Sequence, residues 1–325
     1  MTSPDTIPSF RTIDELIRYR ARENPNHIAV LFSADGEAVK EHTSSQIDRY
    51  AHTAAKYFSD HHGLEPRTTS ERPAEIVGIS GNGDMDYLIS VLAIAKLGHS
   101  VLFLSPRLAA ETRDKLLSDA SASFLLVDKL PDKSKTQANG GAAPVRIGEI
   151  LRPDTYEAQS PDAEAVSTEL THGLDLDQEG KSIAWILHSS GSTSLPRLVR
   201  IPNAVALPRF TVEMETFGLD TLTTVPLYHA FGMTSFFRSF MACKTIRLYS
   251  KLPIAVNELI KTTKERRFGL FSTVPFTLKL LSETDAGMDF LRSFEVVTSG
   301  GAPISEELGN ELVHQGVRLM SVYGA

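Results

Sequence analysis

The sequence predicts an α/β protein with two doubly wound subdomains, and three observations support this prediction. The chain has 325 residues, more than a single hydrophobic core usually organises. From Glu75 onward, short apolar runs alternate with amphipathic helices, a βαβαβ pattern typical of a parallel sheet with helices on its faces. The alternation resumes at Ile183, so the second half is expected to form another α/β layer.

The N-terminal part is predicted to form a helix, a hairpin and a second helix. Residues 12–24 place apolar side chains on one helical face. Asp35-Gly36 is a strong hairpin signal, and the second strand of this hairpin is expected at 38–40. Thr43 has capping-box spacing to Gln46, which predicts the start of the second helix.

The remaining elements are expected in alternating order. Strands are predicted at 76–80, 101–104, 124–127, 183–187, 198–201, 222–225, 246–249, 270–272, 294–298 and 317–322. Helices are predicted up to Leu97 and at 108–119, 234–243, 255–267, 274–282 and 305–315. Gly81-Asn-Gly83 leaves a dinucleotide-binding alternative, but the third Gly of that fingerprint is missing, so a simple turn is favoured.

The predicted organisation has three parts. Residues 1–130 form the first α/β subdomain with its N-terminal hairpin. Residues 131–180 are polar, rich in Pro and acidic residues and without a sustained period, which indicates a linker or a large surface excursion. Residues 181–325 form the second α/β subdomain, which carries most of the motifs described below.

Composition excludes several classes of protein. Hydrophobic residues make up 42% of the chain and the net charge is −7, which argues against a nucleic-acid partner. The single Cys243 excludes an intrachain disulfide and a thiolate metal cluster. The N-terminus lacks the basic and apolar regions of a signal peptide, and the most apolar stretch, 87–104, is interrupted by polar residues. A cytoplasmic protein without a membrane partner is therefore expected.

A hydroxyl-rich loop follows the apolar run 183–187 and is the strongest candidate for a binding site. Its donors would hold a polyphosphate through backbone N–H groups and hydroxyls, with Arg197 adding a permanent charge. The loop is no Walker motif, because a strand-like segment follows it rather than a helix. By itself such a loop is more often an ordinary turn. The candidate residues are Ser189, Ser190, Gly191, Ser192, Thr193 and Ser194.

Four further segments accompany this loop in order: Ala95-Lys-Leu-Gly98 with Val101 to Pro106, Pro226 to Met233, Ser299-Gly-Gly-Ala-Pro303, and Tyr323-Gly324-Ala325. Together the five resemble the signature segments of the adenylate-forming superfamily, which includes acyl-CoA synthetases, adenylation domains of nonribosomal peptide synthetases (NRPS) and luciferases. Two positions depart from that pattern. Ser194 stands where the family has Gly, and Arg197 stands where it has Lys.

The resemblance implies that a carboxylate attacks the α-phosphate of ATP to give an acyl-adenylate and pyrophosphate. It implies that the loop with Arg197 holds the β- and γ-phosphates and that His229 lies near the carboxylate. It further implies that Gly300, Gly301, Ala302 and Pro303 pack against adenine beside Tyr323 and Gly324. The alternatives are a core histidine for His229, a strand-to-helix turn for the glycines and a core aromatic for Tyr323.

The substrate is bounded loosely. Relatives that activate amino acids usually carry an Asp in the segment that corresponds to 226–236, where this chain has no acidic residue. An aryl or alkyl acid without an α-amino group is therefore expected. Side chains at 231, 233, 236 and 237 would suit such a chain, although their spacing also fits core packing.

A narrower resemblance concerns fungal NRPS-like adenylate-forming reductases, through the opening Ile13 to Ile17, the loop and the acidic excursion. It implies a longer parent with carrier and reductase domains, which would use phosphopantetheine and NADPH. The family's Glu for Mg²⁺ would follow Ala325, so the subdomain is expected to be incomplete at its C-terminus and independent activity is doubtful. The alternative is a truncated, non-catalytic remnant that binds nucleotide or a protein partner.

Overall fold

The computed structural model describes residues 8–34, 37–130, 145–158, 167–188, 196–251 and 253–323. The strands are β1 Ile28–Phe32, β2 Lys40–Thr43, β3 Ile76–Ser80, β4 Ser100–Leu104, β5 Phe124–Val127, β6 Arg146–Glu149, β7 Ile183–His188, β8 Leu198–Pro202, β9 Thr221–Thr223, β10 Ile246–Leu248, β11 Leu270–Thr273, β12 Val296–Ser299 and β13 Leu319–Ser321.

The helices lie between these strands in the order that the α/β pattern predicts. They are α1 Ile13–Glu23, α2 Ser44–His62, α3 Met85–Lys96, α4 Ala110–Ala120, α5 Pro153–Tyr156, α6 Leu176–Glu179, α7 Asn203–Phe217, α8 Ala230–Met241, α9 Val256–Glu265, α10 Pro275–Ser282, α11 Asp285–Arg292 and α12 Glu306–His314. Among these described helices, none is long and apolar enough to cross a membrane.

Two mixed sheets, both mostly parallel, organise the fold. One has six strands in the order β6-β5-β3-β4-β7-β8, and the other has seven in the order β13-β12-β11-β9-β10-β1-β2. In each sheet a single described strand runs antiparallel, β8 beside β7 and β2 beside β1. The predicted α/β class with two doubly wound layers is confirmed.

Helices fill the space between the sheets and cover both outer faces. The largest apolar cluster joins α1, α2, α3, α7 and α8 to strands of both sheets, including Val77 and Ile246. A second cluster packs α9 to α12 against the outer face of the seven-stranded sheet. A third packs α4 against the six-stranded sheet. The layers therefore alternate helix, sheet, helix, sheet, helix.

The sheets exchange strands across the boundaries proposed from sequence. Strands β1 and β2 belong to the seven-stranded sheet of the second half, whereas β7 and β8 complete the six-stranded sheet of the first. Each sheet therefore depends on both halves of the chain. The division at 130 and 181 stays a prediction for the subdomains.

Local sequence signals account for the starts of α1 and α2. Thr12 and Thr43 each form a capping box with Glu15 and Gln46. The hairpin strand β2 begins at Lys40, later than the 38–40 expected, and its turn residues Asp35-Gly36 lie outside the described residues.

Five elements were missed: β6, α5, α6, α7 and α11. Helices α5 and α6 have only four residues each and lie within the predicted excursion 131–180. Strand β6 lies inside the predicted excursion 131–180 and pairs with β5, but its residues are mostly exposed, so no apolar run marks it. Helix α7 contains Pro208, a residue that argues against a helix interior. Helix α11 has only eight residues, too few for a clear period.

Candidate functional site

The predicted site segments meet where parallel strands of the seven-stranded sheet end. The Gly300 N–H donates to the carbonyl of Thr273 at the end of β11 (3.2 Å), and the Val322 N–H donates to the carbonyl of Ser299 (2.7 Å). A Cβ on Gly300 would lie 3.0 Å from the Phe231 ring. The structure therefore brings the segment of His229 and the loop 299–303 into contact, in the crevice where α/β proteins usually bind ligands.

The position of His229 follows from its neighbours in sequence. His229 is the N-cap of α8, and its N–H donates to the Pro226 carbonyl at 3.1 Å. A Cβ on Gly232 would lie 2.3 Å from that carbonyl oxygen, so only glycine allows the first turn of α8 to pack on Pro226. The spacing of Pro226, His229 and Gly232 is thus a geometric requirement of this turn.

The six-stranded sheet also reaches this crevice. A Cβ on Gly83, in the turn after β3, would lie 2.5 Å from the Leu227 backbone nitrogen. The Tyr228 hydroxyl hydrogen-bonds to Ser105, which follows β4. The turn at Gly81-Asn-Gly83 therefore serves close packing between the two sheets, which favours the simple-turn interpretation over dinucleotide binding.

His229 lies in a positively polarised environment. Desolvation lowers the pKa of its imidazole, and the charges of His188 and Arg107 lower it further. The residue is nevertheless exposed, as expected for a side chain in an open crevice. Its ring lies 4.7 Å from that of Tyr228. Because His229 also begins α8, the helix dipole favours an anion there.

His188, Arg107 and Tyr228 were not among the predicted site residues. Strands β4 and β7 are parallel neighbours, so the residues after both strands emerge at one edge. His188 ends β7 and Arg107 follows β4. Positions just beyond adjacent strand ends are the signal that could have identified them.

The hydroxyl-rich loop, Ser189, Ser190, Gly191, Ser192, Thr193 and Ser194, lies outside the described residues. Its two ends are described. His188 pairs with Leu198 across the antiparallel strands β7 and β8, so Arg197 returns beside His188 and is exposed. The loop therefore begins and ends next to the residue that acts on His229.

Of the expected adenine-binding residues that the structure describes, Gly300 is buried and the others are exposed. Gly301 has φ +79°, a left-handed conformation that favours glycine, and Ala302 and Pro303 are exposed. Tyr323 is 93% exposed. Gly324 lies outside the described residues.

Most of the aromatic residues on α8 belong to the core rather than to a pocket. Phe237 stacks on Phe210 with ring centroids 5.1 Å apart and contacts Trp185. Met233 and Phe236 are also fully buried. Of the four side chains expected to suit an aryl or alkyl chain, Phe231 alone is partly exposed beside Gly300.

Two further observations concern Lys96 and metal ligands in the described part of the chain. Lys96, within the segment Ala95-Lys-Leu-Gly98, donates to the buried carboxylates of Asp14 and Asp48 and therefore serves the fold. No group of three His, Cys, Asp or Glu that could hold a metal ion occurs among the described residues.

Comparison with known proteins identifies the family of the chain. A family model described as AMP-binding enzyme matches residues 17–325. The chain therefore belongs to this family of adenylate-forming enzymes.

Two fungal relatives show how much of a longer protein this chain represents. The adenylate-forming reductase stbB of Stachybotrys bisbyi is 26% identical over 96% of this chain and 30% of that protein. The adenylate-forming reductase Nps10 of Heterobasidion annosum is 24% identical over 97% of this chain and 30% of that protein. The chain thus spans about a third of the length of these curated relatives.

Solved structures share the fold at low identity. The N-terminal subdomain of Klebsiella oxytoca NpsA, in complex with 3-hydroxybenzoyl-AMSN, has a TM-score of 0.75 and 15% identity, covering 100% of this chain and 75% of that one. The o-succinylbenzoate CoA synthetase MenE of Bacillus subtilis, in complex with its acyl-adenylate intermediate, has a TM-score of 0.72 and 19% identity. That match covers 94% of this chain and 57% of MenE.

Proposed function

We propose that this chain is the front part of an NRPS-like adenylation domain that activates a carboxylic acid with ATP. The carboxylate oxygen attacks the α-phosphorus, the bond from that phosphorus to the bridging oxygen breaks, and pyrophosphate leaves with the electron pair. The single observation that carries this proposal is the position of His229. It is the N-cap of α8, the charges of two basic residues act on its pKa, and Phe231 in the same turn lies against Gly300.

The charge of the crevice supports the binding of two anions. The charges of His188 and Arg107 lower the pKa of His229, as positive charges do. Arg197 lies next to Leu198, which pairs with His188. A carboxylate and a triphosphate repel each other in water, so a site that unites them needs fixed positive charge and N–H donors. The N-terminus of α8 contributes donors of this kind.

Each residue has a role in this proposal. The loop Ser189 to Ser194 with Arg197 holds the β- and γ-phosphates and stabilises the charge that develops on pyrophosphate. His229, neutral near pH 7 because its pKa is lowered, orients the acid by a hydrogen bond. The loop 300–303 admits adenine because Gly300 and Gly301 carry no Cβ, and Tyr323 offers an exposed ring for stacking.

We infer that the acid lacks an α-amino group. The segment 226–236 has no acidic residue, and the side chains that act on the pKa of His229 are basic rather than acidic. An ammonium group would therefore meet like charge. Phe231 is half-buried at the rim of the crevice, which favours an aryl or alkyl substituent next to the carboxylate.

The resemblance to longer fungal relatives is the basis for expecting carrier and reductase partner domains. The same resemblance is the basis for expecting phosphopantetheine and NADPH as their cofactors. The chain covers 30% of the length of two such proteins. We propose that the adenylate made here is passed to a carrier domain and then reduced in a longer parent protein. Mg²⁺ would accompany ATP, but no step is assigned to it because the described residues offer no cluster of ligands.

Acid-dependent exchange of labelled pyrophosphate into ATP tests the proposal directly. The assay compares 3-hydroxybenzoate, benzoate and hexanoate with phenylalanine, and it is run on the chain alone and on the longer parent protein proposed above. We expect exchange with the acids and none with phenylalanine. Exchange with phenylalanine alone would overturn the inference about the substrate.

Variants at the site make the assay specific. His229→Ala is expected to reduce exchange about 100-fold or more, within the range for loss of a group that orients the reactants. Lys279→Gln, an exposed change on α10, is the matched control and should leave exchange unchanged. If both the chain alone and the longer protein bound ATP without catalysing exchange, the result would instead support the non-catalytic alternative, a nucleotide-binding remnant.

A further inference from the structure

A second basic site lies at the amino ends of strands in the seven-stranded sheet, opposite the crevice at their carboxyl ends. It has a volume of about 390 Å³, and its lining residues, called here the arginine pocket, are Thr263, Arg267, Phe268, Arg292, Ser293 and Arg318. Among the described residues, no carboxylate lines it. Its volume falls within the range of about 300–1,000 Å³ that is typical of small-molecule sites.

The topology explains why three arginines converge there. Strands β11, β12 and β13 are parallel neighbours, and an arginine precedes each of them. Arg267 lies before Leu270, Arg292 lies before Val296, and Arg318 lies directly before Leu319. Because amino ends of parallel strands share one edge, these residues are far from the crevice at the carboxyl ends.

Two of the three guanidinium groups are held by backbone carbonyls. Arg318 donates through Nε to the Phe294 carbonyl at 3.1 Å and through Nη2 to the Arg292 carbonyl at 3.4 Å. Arg292 donates through Nε to the Gln315 carbonyl at 2.6 Å. These reciprocal bonds join the segments before β12 and β13 and fix both side chains.

The remaining donors point to a ligand with negative charge. Arg292 is partly neutralised by Asp289 at 3.0 Å, whereas Nη1 of Arg318 takes no part in its carbonyl bonds. Arg267 is exposed, and no described side chain accepts a hydrogen bond from it. Its planar group is therefore available for bidentate binding of a phosphate or a carboxylate.

The hydroxyl groups and the floor of the pocket limit what the arginines bind. Thr263 and Ser293 donate to carbonyls within their own helices, at 3.0 Å and 2.6 Å, so their hydrogens are already used. Phe268 is 2% exposed and provides an apolar floor. Arg267 and Arg318 would then supply the contacts to the anion.

We propose that the arginine pocket binds a small polyanion bearing phosphate or carboxylate groups, independently of the crevice at His229. The site is separate from the proposed adenylation chemistry, since it lies at the other edge of the sheet. It does not depend on the proposed function being correct.

The test is calorimetric titration of inorganic pyrophosphate and of citrate into Arg197→Gln protein, which lacks the cation of the proposed phosphate loop. We expect pyrophosphate to bind this protein and adding Arg267→Gln to weaken binding about tenfold or more, since charge-assisted bonds are lost. Adding Lys261→Gln, the same charge change on an exposed position of α9, should leave binding unchanged. Tighter binding of citrate than of pyrophosphate would assign the pocket to carboxylates.

The outcomes are distinguishable from those of the adenylation assay. Absence of binding by both anions, or equal affinity with and without Arg267→Gln, would overturn the pocket. Neither result would alter acid-dependent exchange by the wild-type chain. Conversely, loss of exchange in His229→Ala protein leaves the arginine pocket intact, because His229 lies at the other edge of the sheet.

Discussion

The Nζ of Lys96 lies 2.6 Å from Oδ1 of Asp48, and both side chains are sealed from solvent. A second carboxylate, Asp14, lies 2.7 Å from the same ammonium. Burial acts to lower the pKa of Lys96, but the two carboxylates outweigh it and the pKa is raised. One cation thus ties α3 to α2 and α1 in the layer between the sheets.

Replacing this cation should be costly. Lys96→Met keeps the length of the side chain but leaves buried Asp48 without an ion-pair partner and Asp14 with Arg18 alone, so we expect unfolding free energy to fall by about 3–5 kcal/mol. Urea denaturation at pH 7 measures this loss. Lys115→Met is the control, because Lys115 pairs with Asp119 on the surface and should cost about 1 kcal/mol or less. Similar losses in both variants would contradict the role assigned to Lys96.

A second prediction concerns the turn that positions His229. In Gly232→Ala the new Cβ meets the Pro226 carbonyl oxygen at 2.3 Å, so the backbone must shift. We expect a stability loss of about 1–3 kcal/mol from overpacking and weaker acid-dependent pyrophosphate exchange.

The control for this change is Gly309→Ala on α12, where nothing lies within 4 Å of the added carbon. This variant should gain about 0.5–1 kcal/mol, because alanine suits a helix interior better than glycine. Thermal unfolding and exchange are measured on both proteins. If Gly232→Ala exchanged pyrophosphate as the wild type does, close packing on Pro226 would not be needed to position His229.

Sequence reasoning predicted the element order because period and capping are local properties. Thr12 and Thr43 cap their helices as expected, and β7 and β8 flank the hydroxyl-rich loop. It could not assign β1 and β2 to the sheet of the second half, because pairing between distant strands leaves no local pattern. Edge strand β6 escaped notice for lack of an apolar run.

The candidate site was predictable only in part. His229 and Gly300 were found because their segments resemble a known family. Arg107 belongs to no recognised motif, and the pairing of β4 with β7 that brings it to the same edge as His188 is a long-range property. The aromatic residues of α8 were ambiguous, because a helical stripe can face either a core or a pocket, and Phe236 and Phe237 face the core.

A third prediction concerns Asp84, the N-cap of α3. Burial raises the pKa of its carboxyl from 3.8 to about 7, with like charges at Asp86 and Asp128 adding to the rise. Below pH 3.8 both folded and unfolded states hold the proton. As pH rises from 3.8 to about 7, the unfolded state releases the proton first, so the free energy of unfolding falls across this range. The loss is complete above about pH 7.

Asp84→Asn should therefore stabilise the protein at pH 8 by about 1–4 kcal/mol, and the gain should vanish near pH 4. Asparagine caps helices as well as aspartate, so the bond from the Tyr87 N–H is kept. Urea unfolding across this pH range measures the difference. Asp175→Asn, at an exposed N-cap, is the control. A gain that did not depend on pH would show that folding does not raise the pKa of Asp84.

The last prediction tests the charge of the crevice at His229. Desolvation is the largest cause of its lowered pKa, followed by the charges of His188 and Arg107. Arg107→Gln removes one positive charge, so the folded protein should protonate His229 at higher pH than the wild type does. The pKa should still stay below the ordinary 6.5, because desolvation persists. NMR titration of the labelled imidazole, assigned with His229→Gln, measures the shift.

Arg113→Gln is the matched control for this titration, since Arg113 lies on α4 and pairs with Asp114. It should leave the pKa of His229 unchanged. If Arg107→Gln also had no effect, Arg107 would lie too far away to act on a bound carboxylate. A rise in the pKa would place a second cation within reach of the acid, since a group that repels an imidazolium attracts an anion at the same position.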